Sequence, residues 1–204
     1  MSVPRKFGAV IAAAGMSSRM GSFKPLLDIG GETVVARLIR TFQSCGVGKI
    51  WIVTGHRAGD LEGSLSGCEG VSFIHNSEYA GTGMFESVCM GLKRAAETYG
   101  RVLVTPADVP LFRAETVRIL LNSEGNIIIP VCEGRDGHPV LLSSSAARQI
   151  IAFHGEGGLH GAMLALRVPL RRVEVADKGI WMDMDTPEDY KRIIEVLPFS
   201  ECGS

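Results

Sequence analysis

The chain has 204 residues, of which 46% are hydrophobic and 25 are glycine, and its formal net charge is −1. That length suits one folding unit able to bury most of its apolar surface, and the near-neutral charge gives no global field for nucleic acid or an anionic membrane. The cysteines, at positions 45, 68, 89, 132 and 202, are scattered without a CxxC pair. This argues against a disulfide framework or a zinc site and leads us to expect a cytoplasmic protein. Arg5 and Lys6 precede an apolar stretch, but Gly, Ala and Ser soon interrupt it, so neither a signal peptide nor a membrane span is expected.

In chain order, strand-like runs fall at Ala9 to Ala12, Ile50 to Thr54, Val71 to His75, Val102 to Thr105, Asn126 to Val131 and Val173 to Val175. Between them, Thr33 to Cys45 carries Val34, Val35, Leu38, Ile39 and Phe42 at helical spacing and is closed by Gly46. Glu86 to Tyr99 and Ala114 to Leu121 follow the same pattern. Pro187, Glu188 and Asp189 open a last helix running to about Leu197, with proline in the first turn and acids where the helix dipole favours them. Such alternation predicts a parallel-dominated open sheet covered on both faces. No repeat or composition break marks a second unit: one domain over 1–197 is expected, with 198–204 a disordered tail. The Gly-rich stretch Gly134 to Pro139 reads as a hairpin-like insertion beside the main sheet.

The most informative stretch follows the first strand. Ala12, Ala13, Ala14, Gly15, Ser17, Ser18 and Gly21 are small, and Arg19 and Lys24 stand at the far end. Small residues let backbone N–H groups approach a ligand, and the two cations add full charge, which makes an anionic-phosphate cradle. Five residues rather than four separate Gly15 from Gly21, and Pro25 follows the lysine, so this is not a Walker A loop. A GxGxxG fingerprint is also missing, which disfavours a dinucleotide dehydrogenase. In an open sheet of this type ligands sit beyond the carboxyl ends of the strands. The first loop, Gly55-His56, Pro106 to Pro110 and the start of the last helix should therefore converge.

Asp108 ends an apolar strand between Pro106 and Pro110. One rigid carboxylate opposite a phosphate cradle suits a Mg²⁺–nucleotide site, although Asp in a turn also serves simply to cap backbone N–H groups. Asp183 and Asp185 alternate and so share a face of an extended segment, while Asp185 or Thr186 could cap the last helix. Asn76, at a strand end, offers its amide either to a base or ribose or to a turn. Glu86 stands either near the phosphates or at a helix N-terminus. Met84 and Phe85 read as packing residues.

The pattern Ala12-Ala13-Ala14-Gly15-x-Ser17-x-Arg19-Met20-Gly21-x-x-Lys24-Pro25-Leu26-Leu27 resembles the signature loop of the MobA-like nucleotidyltransferases, especially their molybdenum cofactor cytidylyltransferase branch. The resemblance extends from Phe7 to about Val196. It implies a single-domain Rossmann-like α/β fold of the nucleotide-diphospho-sugar transferase type and Mg²⁺-dependent transfer of CMP from CTP to molybdopterin, with release of pyrophosphate. Arg19, Lys24 and Asp108 are then the catalytic residues, and Asp108 and Asp185 hold the metal. The first loop would bind nucleotide together with Gly55, Asn76, Pro106 and Ala107. Gly83 and Ser87 match the family's Gly-Met-x-x-Ser segment along the nucleotide, and His138 and Pro139 match an element lining the pocket of the pterin-phosphate acceptor. A molybdenum hydroxylase-type apoenzyme is the implied recipient of the product. Glu156 stands where relatives carry Asp in a Gly-Asp-x-Gly loop, a departure that weakens carry-over there. Guanylyltransferase relatives show Leu-Ala-Gly-Gly where this chain has Ala12 to Gly15, and Ala14 leaves less room for a purine, which favours CTP over GTP. A non-catalytic nucleotide-binding chaperone for a molybdoenzyme is the alternative of another class.

Overall fold

The computed structural model describes residues 7–17 and 19–197. Ser18 and the expected tail 198–204 lie outside the described residues. The strands are β1 (Phe7–Ala13), β2 (Lys49–Thr54), β3 (Val71–His75), β4 (Arg101–Pro106), β5 (Ile127–Cys132), β6 (Arg135–Asp136), β7 (Val140–Ser143) and β8 (Leu170–Glu174). The helices are α1 (Val34–Ser44), α2 (Ala58–Ser64), α3 (Met84–Thr98), α4 (Ala114–Asn122), α5 (Ser144–Ile151), α6 (Gly158–Ala165) and α7 (Pro187–Val196). None of these helices is long and apolar enough to cross a membrane.

Strands β3, β2, β1 and β4 lie side by side in that order and all pair in parallel. Their central members are almost uninterrupted apolar runs, as strands buried on both faces must be. Alternation then divides the core. Ala9, Ile11 and Ala13 of β1 join α1, α2 and α4 residues such as Phe42, Leu61 and Leu120 on one face. Val10 and Ala12 join Leu92 of α3, Ile150 of α5 and Met163 of α6 on the other. A smaller cluster, Met20, Ile29, Met184 and Ile193 among its members, seats α7 beneath the first loop. Gly91 lets α3 lie directly on the sheet, because a Cβ there would overlap Val10 Cγ1.

Thr33 accepts a hydrogen bond from Ala36 N as the cap of α1, and Gly46, at φ 80°, ends the helix turn as its sequence indicates. The stretch 134–139 departs from expectation. A tight turn with Glu133 and Gly134 both at positive φ, 53° and 75°, does join β5 to β6. The chain then runs on as β7, which lies antiparallel between β4 and β5 rather than beside the sheet. Since β8 runs parallel along β5 from Ile127 to Val131, β6 and β7 must share the opposite edge of β5. Gly137-His138-Pro139 is the break between them, and it opens beside the end of β4.

Chain order reverses direction between β1 and β4, with β2 on one side of β1 and the later strand on the other. The crevice beyond their carboxyl ends is where such a sheet receives a ligand.

Candidate active site

Two loops meet in that crevice. One leaves β1 at Ala13 and returns as a short 3-10 turn at Lys24–Leu26; the other leaves β4 at Pro106. They are tied together at the root, where Ala107 N donates to Ala12 O at 2.9 Å. Within the first loop Ser17 adopts φ 53°, its carbonyl accepts from Met20 N, and its Oγ accepts from Lys24 N at 3.2 Å. Ser17 is thus the hinge that folds Arg19 and Lys24 back toward the strand ends. Nothing lies within 4 Å of where a Gly15 Cβ would stand, so its backbone faces open space.

Lys24 points inward, its side chain only 12% exposed, with Nζ 2.5 Å from Asp185 Oδ1 and 3.5 Å from Asp108 Oδ2. Arg19, 73% exposed, reaches Asp185 Oδ2 at 2.9 Å. Asp108 is held by its backbone as well, since its carbonyl accepts from Met184 N at 2.9 Å. Burial pushes the Asp108 carboxyl above the usual carboxylate range; the Lys24 ammonium draws it back and the Asp185 charge adds to the rise. Met184 is fully buried, so Asp183 and Asp185 both face the cleft, as their alternation requires, but the two cations take Asp185 alone. The helix-cap alternative for Asp185 falls away. Thr186 caps α7 in a capping box with Asp189, and its Oγ1 accepts from Asp189 N at 3.2 Å.

Two carboxylates around one ammonium are oxygen donors of the kind a hard cation takes. Hard oxygen donors are what Mg²⁺ takes, and it is commonly held by one or two carboxylates with substrate phosphates completing the shell. No group of three or more metal-ligating side chains occurs among the described residues. The donor set therefore fits a cation that arrives with phosphate oxygens rather than one caged by protein alone.

Among the described residues, three compartments open into the crevice. A cleft of about 600 Å³ beside the first loop is lined by Ala12, Gly15, Ser17, Arg19, Lys24, Pro106, Ala107, Asp108 and Asp185. A pocket of about 230 Å³ lies between Ala12, Ala14 and Gly15 on one side and Tyr79, Gly83 and Ser87 on the other. A third, largely apolar lobe of about 620 Å³ is bounded by Phe85, Ile129, His138, Leu159 and Met163. Met84 lines all three and is 55% exposed, so it is a cleft residue and not the packing residue its type suggests. His138 borders both larger compartments. Its Nδ1 is buried without a hydrogen-bond partner, and burial pushes its pKa down to about 4, so the ring is neutral at pH 7. Pro139, beside it, is buried in the strand break.

Other residues singled out in the sequence sit behind the walls. Asn76 is 3% exposed; its Nδ2 donates to Thr82 Oγ1 and Ser87 Oγ, and its Oδ1 accepts from Glu78 N. It is the turn-organising alternative that the geometry shows, shaping the loop before α3. Gly55 packs under the first loop, where a Cβ would come within 2.8 Å of Ala14 O and 2.7 Å of Tyr79 Cβ. It gives the loop room rather than facing a compartment. Gly21, at φ 68°, supplies a left-handed turn.

The profile of the MobA-like NTP transferase domain matches residues 9–173. The chain is 30% identical over 184 residues to the molybdenum cofactor cytidylyltransferase of Escherichia coli strain K12, covering 89% of this chain and 92% of that one. It is 37% identical over 115 residues to the bifunctional protein GlmU of Chromohalobacter salexigens, covering 55% of this chain but 24% of that protein. Among solved structures it is similar to a nucleotidyl transferase from Methanothermobacter thermautotroptrophicus, with a TM-score of 0.81 and 26% identity over 93% of this chain and 96% of that one.

Proposed function

The chain belongs to the MobA-like NTP transferase family and is a nucleotidyltransferase; from that premise we propose that it transfers CMP from CTP to molybdopterin with Mg²⁺ and releases pyrophosphate. The observation that carries this reading is the grouping of Lys24, at the end of the first loop, with Asp108 and Asp185, in a cleft that shares Ala12, Gly15 and Met84 with the small pocket walled by Ala12, Ala14 and Gly15. The extent of likeness to the cytidylyltransferase of Escherichia coli supports the choice of branch.

In this reading the pocket of about 230 Å³ holds the nucleoside and the cleft beside the first loop holds the triphosphate. The loop backbone, Arg19 and Lys24 orient the β- and γ-phosphates and stabilise the departing pyrophosphate. A phosphate oxygen of the acceptor attacks the α-phosphorus, the bond to the β-phosphate oxygen breaks, and pyrophosphate leaves from the opposite side. No covalent enzyme intermediate is needed, so catalysis rests on positioning and charge. Asp108 and Asp185 would hold the metal ion, which supplies positive charge at the α-phosphate when bound. Lys24 then exchanges its carboxylate contacts for phosphate oxygens. His138 and the apolar lobe beyond it would receive the acceptor. The product's recipient would be a molybdenum hydroxylase-type apoenzyme.

Base preference follows from the pocket wall. The methyl group of Ala14 takes space that a glycine would leave to a purine, so CTP is expected to bind more tightly than GTP. Direct competition between the two nucleotides in an equilibrium binding assay checks this, and a clear preference for GTP would move the protein to guanylyl transfer.

A further inference from the structure

The apolar lobe differs electrostatically from the cleft it joins. Its wall includes Phe85, Val88, Ile129, Val140, Leu159 and Met163, and among the described residues neither lysine nor arginine lines it. Arg19 and Lys24 line only the cleft beside the first loop. Two carboxylates do reach the lobe, Asp136 and Glu86. Arg172 neutralises the first, its Nε 2.8 Å from Asp136 Oδ1 and its Nη2 2.9 Å from Oδ2. Glu86 has no ion pair and no side-chain hydrogen bond among the described residues. His138 is held neutral by burial and cannot offset the charge. Exposed His160 also borders the lobe, and Glu86, itself exposed, is the one of its two carboxylates without an ion pair among the described residues, in a lobe of about 620 Å³ whose wall is mostly apolar.

A lone carboxylate on such a wall repels anions and accepts N–H donors, and its two oxygens match two parallel donors on a planar ring edge. We propose that Glu86 selects the acceptor by its neutral heteroaromatic ring, accepting hydrogen bonds from a ring N–H and an adjacent exocyclic amino group, while the acceptor's anionic end stays with Arg19 and Lys24. The inference rests on the proposed transferase reading for taking this lobe as the acceptor's. The competing role for Glu86 lies in its position in the first turn of α3. Its Oε2 stands 3.2 Å from where a Gly83 Cβ would lie, and an acid there favours the helix dipole. That role affects stability and leaves ring selection untouched.

The two roles separate with a pair of rings that differ in the donor edge. Pterin carries a 2-amino group beside a ring N–H, and lumazine carries an oxygen in place of the amino group. Fluorescence titration of each with the full chain is expected to show pterin bound about tenfold or more tightly than lumazine, as charge-assisted hydrogen bonds allow. Glu86→Ala should bring the ratio to about one, and Glu86→Gln, which keeps one acceptor oxygen, should retain part of it. Equal affinity for the two rings in the unmodified protein, no binding of either, or a ratio unchanged in Glu86→Ala overturns the proposal. A lowered Tm with an unchanged ratio assigns Glu86 to the helix end alone. Failure of CMP transfer with the ring preference intact would count against the transferase substrate and not against Glu86.

Discussion

Asp108→Asn is expected to lower metal-dependent turnover by at least about two orders of magnitude while the chain still folds, because metal charge stabilisation supplies several kcal/mol to such transition states. The substitution keeps the shape of the side chain, and the backbone contact from Met184 N to Asp108 O does not depend on its charge. Stability has a definite sign here. Burial raises the Asp108 pKa in the fold, against the pull of Lys24, so the folded state binds the proton more tightly than the unfolded chain does. The resulting stabilisation is present below the ordinary carboxylate pKa and is lost as pH rises through the higher folded value. Above that folded value the raised pKa contributes no stability for asparagine to remove. Steady-state turnover and a thermal melt at pH 7 check both halves. Near-normal activity, or a variant that does not fold, would make Asp108 a turn-forming residue and put the metal elsewhere.

Lys24→Ala is expected to weaken CTP binding by about ten- to a hundredfold and to slow turnover as well, from the roughly 1.5–3 kcal/mol that a charge-assisted phosphate contact contributes. Its ammonium stands between two carboxylates, 2.5 Å from one and 3.5 Å from the other. Removing it takes away a phosphate ligand and leaves Asp108 and Asp185 facing each other without an internal cation. Arg19→Ala should have the smaller effect, since its guanidinium is 73% exposed and water screens its charge. Calorimetric titration of CTP into each variant tests the order. Unchanged affinity in both would remove the first loop from the site.

Much of this arrangement was legible in the residues. The first loop stands out because a buried strand passes directly into small residues with two cations at the end, and no side-chain packing is needed to recognise it. The placement of Asp108 follows from an apolar strand terminated by prolines. Tertiary partners decide the rest. Whether Asp185 or Thr186 caps α7 depends on which oxygen reaches Asp189 N, and Asn76 turns inward only because Thr82 and Ser87 stand opposite it. Strand β7 escaped notice because Val140–Ser143 is a short run whose place is set by both β4 and β5. Helices α2 and α6 carry Gly59 and Gly63, and Gly158 and Gly161, which lower local helix propensity and hide them. The apolar lobe draws residues from α3, β4, β5, β7 and α6, a grouping with no linear motif.

The most direct test of the proposed activity supplies the chain with Mg²⁺, molybdopterin and CTP labelled at the α-phosphate, with GTP in a parallel reaction. Label is expected to pass into the cytosine dinucleotide form of the cofactor with release of an equal amount of pyrophosphate, and little transfer is expected from GTP. Label that remains in CTP while GTP is consumed, or no nucleotide transfer to molybdopterin from either, would contradict the account.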